Sequence, residues 1–519
     1  MSITTTYFDN TQLLMLCLAG FFFLASLFFQ VSKKYSLSII FLGLTAFSFF
    51  SFAALLDPFL NIWDERFHAL VAKNLMDHPL LPTLYDDPVV DMLYDRWDRW
   101  HIWLHKQPLF LWQIALSFKL FGISEFTLRL PNVVLSTVLV LITYRSGRLL
   151  VNHNVGYLAG ALLLSTMYIT ELVAGRQSLE HNDVAFLAYV SLSIWSFIEY
   201  YYSKNKGWII LIGLFSGMAI LCKWLVGLLV YFGWFVLRIQ QKKFSLLANK
   251  DIFVSLIVTI LVAAPWQILT FIWYPTEAAH AFEYNSLHFT VPIEGHRGDF
   301  WYHFDVFNTM YGRVASFLIV PSFYVLMKLC KQRKMYFSLL GMVLAVFLFF
   351  SLAATKMPSF TIAVAMLVFI AFAALFYGVL EFIAKHVKSK GLNVFIFIAS
   401  VLIITLLKYD IEVIQEIHTL WKEDNKHSRM MMHNKEVFQS LDLPENTVLF
   451  NVRGRHYVDA MFYTGFPAYN FLPSVEQYED MKSKSRKIAL FKSADLEIPV
   501  YLFSDTAVIF IDKELQGYY

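Results

Sequence analysis

Ile62-Trp63-Asp64-Glu65-Arg66-Phe67-His68 follows directly on an apolar run, and the polar stretch that continues from it ends in His105-Lys106-Gln107-Pro108-Leu109. Most of the chain on either side is apolar. Of 519 residues, 58% are hydrophobic and 16% charged, whereas soluble domains carry about 25% charge. The composition is that of a polytopic membrane protein. A formal net charge of +3 leaves no basic face of the kind nucleic acid demands. Cys17, Cys222 and Cys330 lie far apart in or beside apolar runs, without metal-type spacing. The first run, Leu13 to Phe29, has no basic residue before it and no small-residue cleavage site after it, so it reads as a retained helix.

A hydrocarbon core about 30 Å thick needs about 20 apolar helical residues. Spans are expected near 11–30, 37–56, 130–150, 155–173, 184–202, 207–222, 224–238, 251–272, 315–330, 335–353, 359–380 and 392–408, about a dozen in all. Lys33-Lys34, Arg145 with Arg148, Lys204 with Lys206, Arg238 with Lys242-Lys243, Lys328 to Lys334 and Lys385 to Lys390 fall in alternate loops. The positive-inside rule makes those loops cytoplasmic. The loops 57–129, 174–183, 273–314, a turn at Lys223, Thr355 to Ser359 and everything after 409 then face outward together. Three segments are expected: an extra N-terminal transmembrane helix (1–36), a membrane catalytic domain (37–408) and a small soluble α/β domain (409–519) with strands at 447–450 and 507–511.

Loop 57–129 is rich in acids and aromatics, suited to a water–lipid boundary and to sugar stacking. Asp64 to Met76 reads as a helix. Pro108 to Phe121 reads as another, with Pro at its first position and Gly122 as its stop. At about 21 Å it is too short to span, so it is expected to lie in the outer interface.

Acids favour a first helical turn through the macrodipole alone. A carboxylate at the membrane surface can also serve as general base on an acceptor hydroxyl. Neighbours on a helix point about 100° apart, so Asp64 is assigned the base and Glu65 a more structural part. Lys106, just before a helix N-terminus, makes an anion site fit for a lipid phosphate, or else a lysine snorkelling to headgroups. Lys223 and Lys356 are further outward cations, explained by an anionic ligand or by a buried acid. Arg176, Glu180, His181 and Asp183 form a polar loop against a span, either functional or capping. His105, His288 and His296 could hold a divalent cation, although the last two lack the i, i+4 spacing of a helical metal pair.

The order Asp64-Glu65, Lys106-Gln107-Pro108-Leu109 with Trp112, Leu120-Phe121-Gly122 with Glu125, Arg129-Leu130-Pro131, Lys223, Pro265-Trp266, His296 with Trp301-Tyr302, and Thr355-Lys356-Met357-Pro358 resembles the GT-C glycosyltransferases. The branch it looks most like is that of the protein O-mannosyltransferases and lipid A aminoarabinose transferases. The resemblance implies a polyprenyl-phosphate-sugar donor, inversion at the anomeric carbon, and an active site on the periplasmic face of a bacterial inner membrane. It aligns Asp64 with the catalytic carboxylate, Lys106 with the lysine of the K-P-P-L motif and Lys356 with that of the (S/G)-K-x-P stretch. Glu65, Arg66, Asp183 and Arg176 complete the expected substrate- and phosphate-binding set. His105, His288 and His296 would be the analogues of a metal-binding group. Two departures stand out: Arg66 is displaced by one position from the D-E-x-R-Y pattern, and Gln107 replaces the first proline of K-P-P-L. The acidic insert Asp86 to Trp100 is expected to set acceptor preference, the acceptor being a lipid, a protein or a polysaccharide. The absence of a nucleotide-binding glycine motif fits a donor already carried on lipid. The competing expectation is a flippase of polyprenyl-linked glycans, which should carry ionisable residues at the midplane of its spans.

Overall fold

The computed structural model describes residues 8–91, 94, 96–177, 181–387, 389–407, 426–492 and 497–517. The expected boundary at 408/409 and Glu180 lie outside them. The chain divides into two compact units: Met1–Leu55, Lys106–Phe110 and Arg129–Ile411 form the first, and Leu56–His105, Leu111–Leu128 and Glu412–Tyr519 the second.

The first unit is helical. Among the described residues, eight helical runs are long and apolar enough to cross a membrane, or up to ten if each of two bent pairs counts as one span. Of the expected dozen, 207–222 and 224–238 fall in the single run Gly207–Gln240, and 392–408 is represented by the 18-residue helix Lys390–Leu407 at the edge of the described residues. At 155–173 the helices His153–Leu164 and Met167–Val173 meet at 56°, where the Ser165 and Thr166 hydroxyls both donate back to the Leu162 carbonyl, a bonding mode that bends helices. Tyr302–Tyr311 meets Ala315–Leu329 at 87°, around Gly312 at φ 116°. The run Gly207–Gln240 is broken at Trp224, whose φ is +63°. A Cβ added at Gly227 would stand 2.8 Å from the Ile220 nitrogen. Seven residues of straight helix would separate them by about 10 Å, so the chain folds back there, as the expected turn at Lys223 requires.

Close helix contact follows from small residues. In Gly213-Leu214-Phe215-Ser216-Gly217, a Cβ at Gly213 would lie 2.3 Å from the Ser255 carbonyl oxygen, and one at Gly217 2.6 Å from Val262 Cβ. The helices Asn10–Val31 and Tyr35–Ala54 pack side by side, joined by Ser26 Oγ donating to the Ser38 carbonyl at 2.9 Å. Arg145 and Arg238, expected at the cytoplasmic ends, pair with Glu199 and Asp251.

The second unit joins what the sequence separates. The first outer loop supplies the helix Asp64–Asn74 and most of the 14-residue helix Pro108–Phe121. The C-terminal part supplies helices at Lys426–Gln439 and Tyr457–Thr464 and a parallel sheet ordered β1 (Thr447–Phe450), β2 (Lys487–Phe491), β3 (Ile509–Ile511). Thr447 registers with Lys487, and Ala489 with Ile509. β1 is wholly buried and β2 nearly so, the burial expected of parallel strands. The start of the acidic insert lies on this C-terminal part: Asp87 pairs with Arg486 and Val89 N donates to the Tyr469 hydroxyl at 3.1 Å, while Tyr85, just before it, stacks on Tyr469 at 5.0 Å and donates to the Ala468 carbonyl. Residues 57–129 thus fold largely with the C-terminal segment, where aromatic side chains such as Tyr85 find partners.

Candidate functional site

In the second unit the helix Asp64–Asn74 starts abruptly. Trp63, just before it, has φ 62° and ψ −129°, a conformation that costs a non-glycine residue roughly 1–3 kcal/mol and persists only where its surroundings hold it. Asp64, Glu65, Arg66 and His68 are all at most 3% exposed. Arg66 Nη1 lies 3.0 Å from Asp459 Oδ2 and donates to the Arg455 carbonyl at 3.1 Å. The same Asp459 oxygen meets His456 Nδ1 at 2.9 Å. The Arg66 guanidinium is therefore engaged inside the protein, and the expected phosphate-binding role does not fit its position. The Arg455 guanidinium stacks over the Trp63 ring at 3.9 Å and bonds Asp98 through Nε at 3.0 Å. His105 stacks face to face on Trp97 at 4.4 Å.

In the first unit, Asp183 opens the helix Asp183–Ser203 and is fully buried. Its Oδ1 takes the Lys223 ammonium at 2.5 Å, and its Oδ2 accepts the Ser359 hydroxyl. Lys223 also sits over the Phe360 ring, 5.0 Å from its centre. Lys106, Lys223 and His296 all act on His288, and burial together with those neighbours lowers its pKa to about 4. Its imidazole is neutral at physiological pH. Gln107 accepts at Oε1 from Gln267 Nε2 at 2.6 Å, a bond that the proline of the K-P-P-L pattern could not make.

Lys356 departs from expectation. It is 3% exposed, and its ammonium donates to the carbonyls of Phe350 and Ser351 at 2.8 and 2.7 Å. It caps the C-terminal end of the helix Arg333–Leu352, where carbonyls lack intrahelical partners and a cation is favoured. Desolvation lowers its pKa. The backbone around it pairs with the outer loop: Thr355 N donates to the His288 carbonyl and Lys356 N to that of His296. Lys356 thus anchors the strip that carries His288 and His296. Arg176 stands with Glu171, to whose carbonyl its backbone N–H donates.

Among the described residues no group of three or more His, Cys, Asp or Glu side chains is placed to hold a metal ion.

Sequence reasoning noted Lys223 without placing it in the binding set, and passed over Ser359, Arg455, His456 and Asp459. Lys223 carried a signal, an ammonium in an outward turn; Asp459 carried none, since its partner is 393 positions away.

Residues 105–269 match the model of the dolichyl-phosphate-mannose-protein mannosyltransferase family. An uncharacterized protein of Aquifex aeolicus (strain VF5) is 24% identical over 304 residues, 57% of this chain and 56% of its own length, so the match spans little more than half of that relative. The structure of ArnT from Cupriavidus metallidurans bound to undecaprenyl phosphate superposes with a TM-score of 0.62 at 14% identity, covering 86% of this chain and 88% of that one. The archaeal oligosaccharyltransferase AglB from Archaeoglobus fulgidus, in complex with an inhibitory peptide and a dolichol-phosphate, gives 0.52 at 13% identity over 84% of this chain and 64% of its own. Eight or more apolar spans, a small parallel sheet and these likenesses agree, and the chain is a multi-pass membrane protein with the GT-C fold, similar to the protein mannosyltransferases and to ArnT.

Proposed function

We propose that this protein is an inverting glycosyltransferase that takes a sugar from a polyprenyl-phosphate donor and places it on a lipid, protein or polysaccharide acceptor at the periplasmic face of the inner membrane. The observation that carries this reading is the family match over 105–269, which begins at His105-Lys106, on a chain whose fold matches that of a protein solved with undecaprenyl phosphate.

Asp64 takes the proton of the acceptor hydroxyl as its oxygen attacks the anomeric carbon. The bond from that carbon to the phosphate oxygen breaks, and the lipid phosphate leaves with the electron pair. Lys106 and Lys223 supply positive charge for the departing phosphate, an effect that strengthens where water is excluded. Asp183 and Ser359 hold Lys223, while Lys356 anchors the loop of His288 and His296. Neutral His288 can accept a hydrogen bond from a sugar hydroxyl without adding charge.

The test is to reconstitute the purified protein in lipid vesicles with a panel of labelled polyprenyl-phosphate sugars and membrane-extracted acceptors. Sugar transfer with matching release of polyprenyl phosphate is expected for one donor. Movement of intact lipid-linked glycan across the bilayer without such release would instead make the protein a flippase.

A further inference from the structure

The helix Tyr457–Thr464 and the turn before it grip the start of the helix Asp64–Asn74 from outside its own sequence neighbourhood. Three contacts converge on Trp63 and Arg66. Asp459 pairs with Arg66 at 3.0 Å, the Arg455 carbonyl accepts from the same guanidinium at 3.1 Å, and the Arg455 side chain lies flat on the Trp63 ring at 3.9 Å. Trp63 and Arg66 bracket Asp64 and Glu65, so the residues on either side of the acidic pair are fixed by the C-terminal part. His456 holds Asp459 from its other side, and Asp98 holds Arg455. Each gripping group is therefore itself oriented by a further partner.

A need for stability alone does not explain this arrangement. A buried ion pair is weak evidence for stability, because an apolar pair of similar volume often serves the fold as well. Arg66 and Asp459 are 1% and 3% exposed at their side chains, so the full desolvation cost applies. The backbone at Trp63 is also held in a conformation that a tryptophan avoids. Such strain is found where the geometry of an adjacent group matters.

We infer that Asp459 and Arg455 are positioning residues for Asp64: the C-terminal segment sets the direction of the catalytic carboxylate and is a working part of the transferase rather than an accessory binding module. This rests on the reading of Asp64 as the base. The consequence is a fall in turnover with donor affinity preserved, because misdirecting a base slows proton transfer without removing the groups that bind the lipid phosphate.

The experiment measures kcat and the donor KM for the full-length, reconstituted protein alongside its thermal midpoint. The double variant Arg66→Met/Asp459→Leu replaces the ion pair with an apolar one. It is expected to unfold within a few degrees of wild type, with kcat reduced on the order of 10-fold or more and donor KM within about threefold. A folded double variant with wild-type kcat overturns the inference. Should that variant fail to fold, Asp459→Asn, which keeps shape and loses charge, is read by the same split, and Asp459→Glu must recover part of the lost turnover. Asp459→Asn with unchanged kcat, or equal losses in Asn and Glu, also overturns it. Asp64→Asn is measured in parallel: wild-type turnover there removes the base assignment itself, whereas an inactive Asp64→Asn beside a fully active double variant removes only the positioning role.

Discussion

Asp64 and Asp183 are the same chemical group in the same local setting, each the first residue of a helix and each buried to 3% exposure or less. Their surroundings differ. Asp183 has one oxygen on the Lys223 ammonium and the other on the Ser359 hydroxyl, so its lone pairs serve to fasten three segments of the membrane unit together. Asp64 follows a strained tryptophan and stands in a turn whose flanking residues are held by Arg455 and Asp459. Under the proposed function the first is the base and the second a structural anchor; burial alone does not tell them apart, whereas the groups that hold the backbone beside each do differ.

The largest expected effect separates the two acids directly. Asp64→Asn should lower transfer on the order of 10²–10⁴-fold, the usual contribution of a general base, while leaving the thermal midpoint in place. Asp183→Asn should instead destabilise by about 1–3 kcal/mol, since it weakens buried partners, with a smaller loss of turnover. If Asp183→Asn proves the more damaging to turnover in a protein of unchanged stability, the two roles are reversed.

Next in size is Lys106→Met, expected to reduce kcat on the order of 10²–10³-fold by removing charge from the leaving phosphate. Single-turnover release of polyprenyl phosphate checks it. Lys356→Met sharpens the contrast among the lysines: its ammonium is engaged by two carbonyls, so the expected loss is about 1–3 kcal/mol of stability with donor KM unchanged. A raised donor KM at normal stability would return Lys356 to the phosphate site.

The smallest effect is a pH dependence. His288 titrates at about 4 in the folded chain against 6.5 for the free side chain. A depressed folded value means that its contribution is present above 6.5 and is lost as pH falls from 6.5 toward 4. Unfolding midpoints measured across that window should fall less steeply in His288→Gln than in wild type, and equal slopes would show that His288 is not the group responsible.

The fold class was legible because spans, alternate basic loops and outer acids are each one-dimensional signals. The helix at 108–121 was marked by Pro108 and Gly122 and is present over those residues; its expected place in the membrane interface is a separate matter of depth. The bends were not legible: hydropathy averages over Ser165-Thr166 and Gly312, where hydroxyl back-bonding and a glycine turn break the helices. β2 at Lys487–Phe491 was missed because its apolar run, Ile488 to Phe491, is so short that periodicity cannot tell it from a buried helix segment. Strong side-chain types marked Arg66 and Asp183, but their partners did not show, since Asp459 and Ser359 meet them from far along the chain, Ser359 from 176 residues away. Lys356 shows the cost of assigning a role by charge alone: an outward lysine after a span is as well placed to cap the span as to bind a ligand.

The most direct test is single-turnover sugar transfer from a defined polyprenyl-phosphate donor by wild type and by Asp64→Asn at matched thermal stability. The prediction is rapid product formation with stoichiometric polyprenyl phosphate in the first and loss on the order of 10²-fold or more in the second. Equal transfer by both would contradict Asp64 as the base, and no transfer by wild type across the donor panel would contradict the transferase itself.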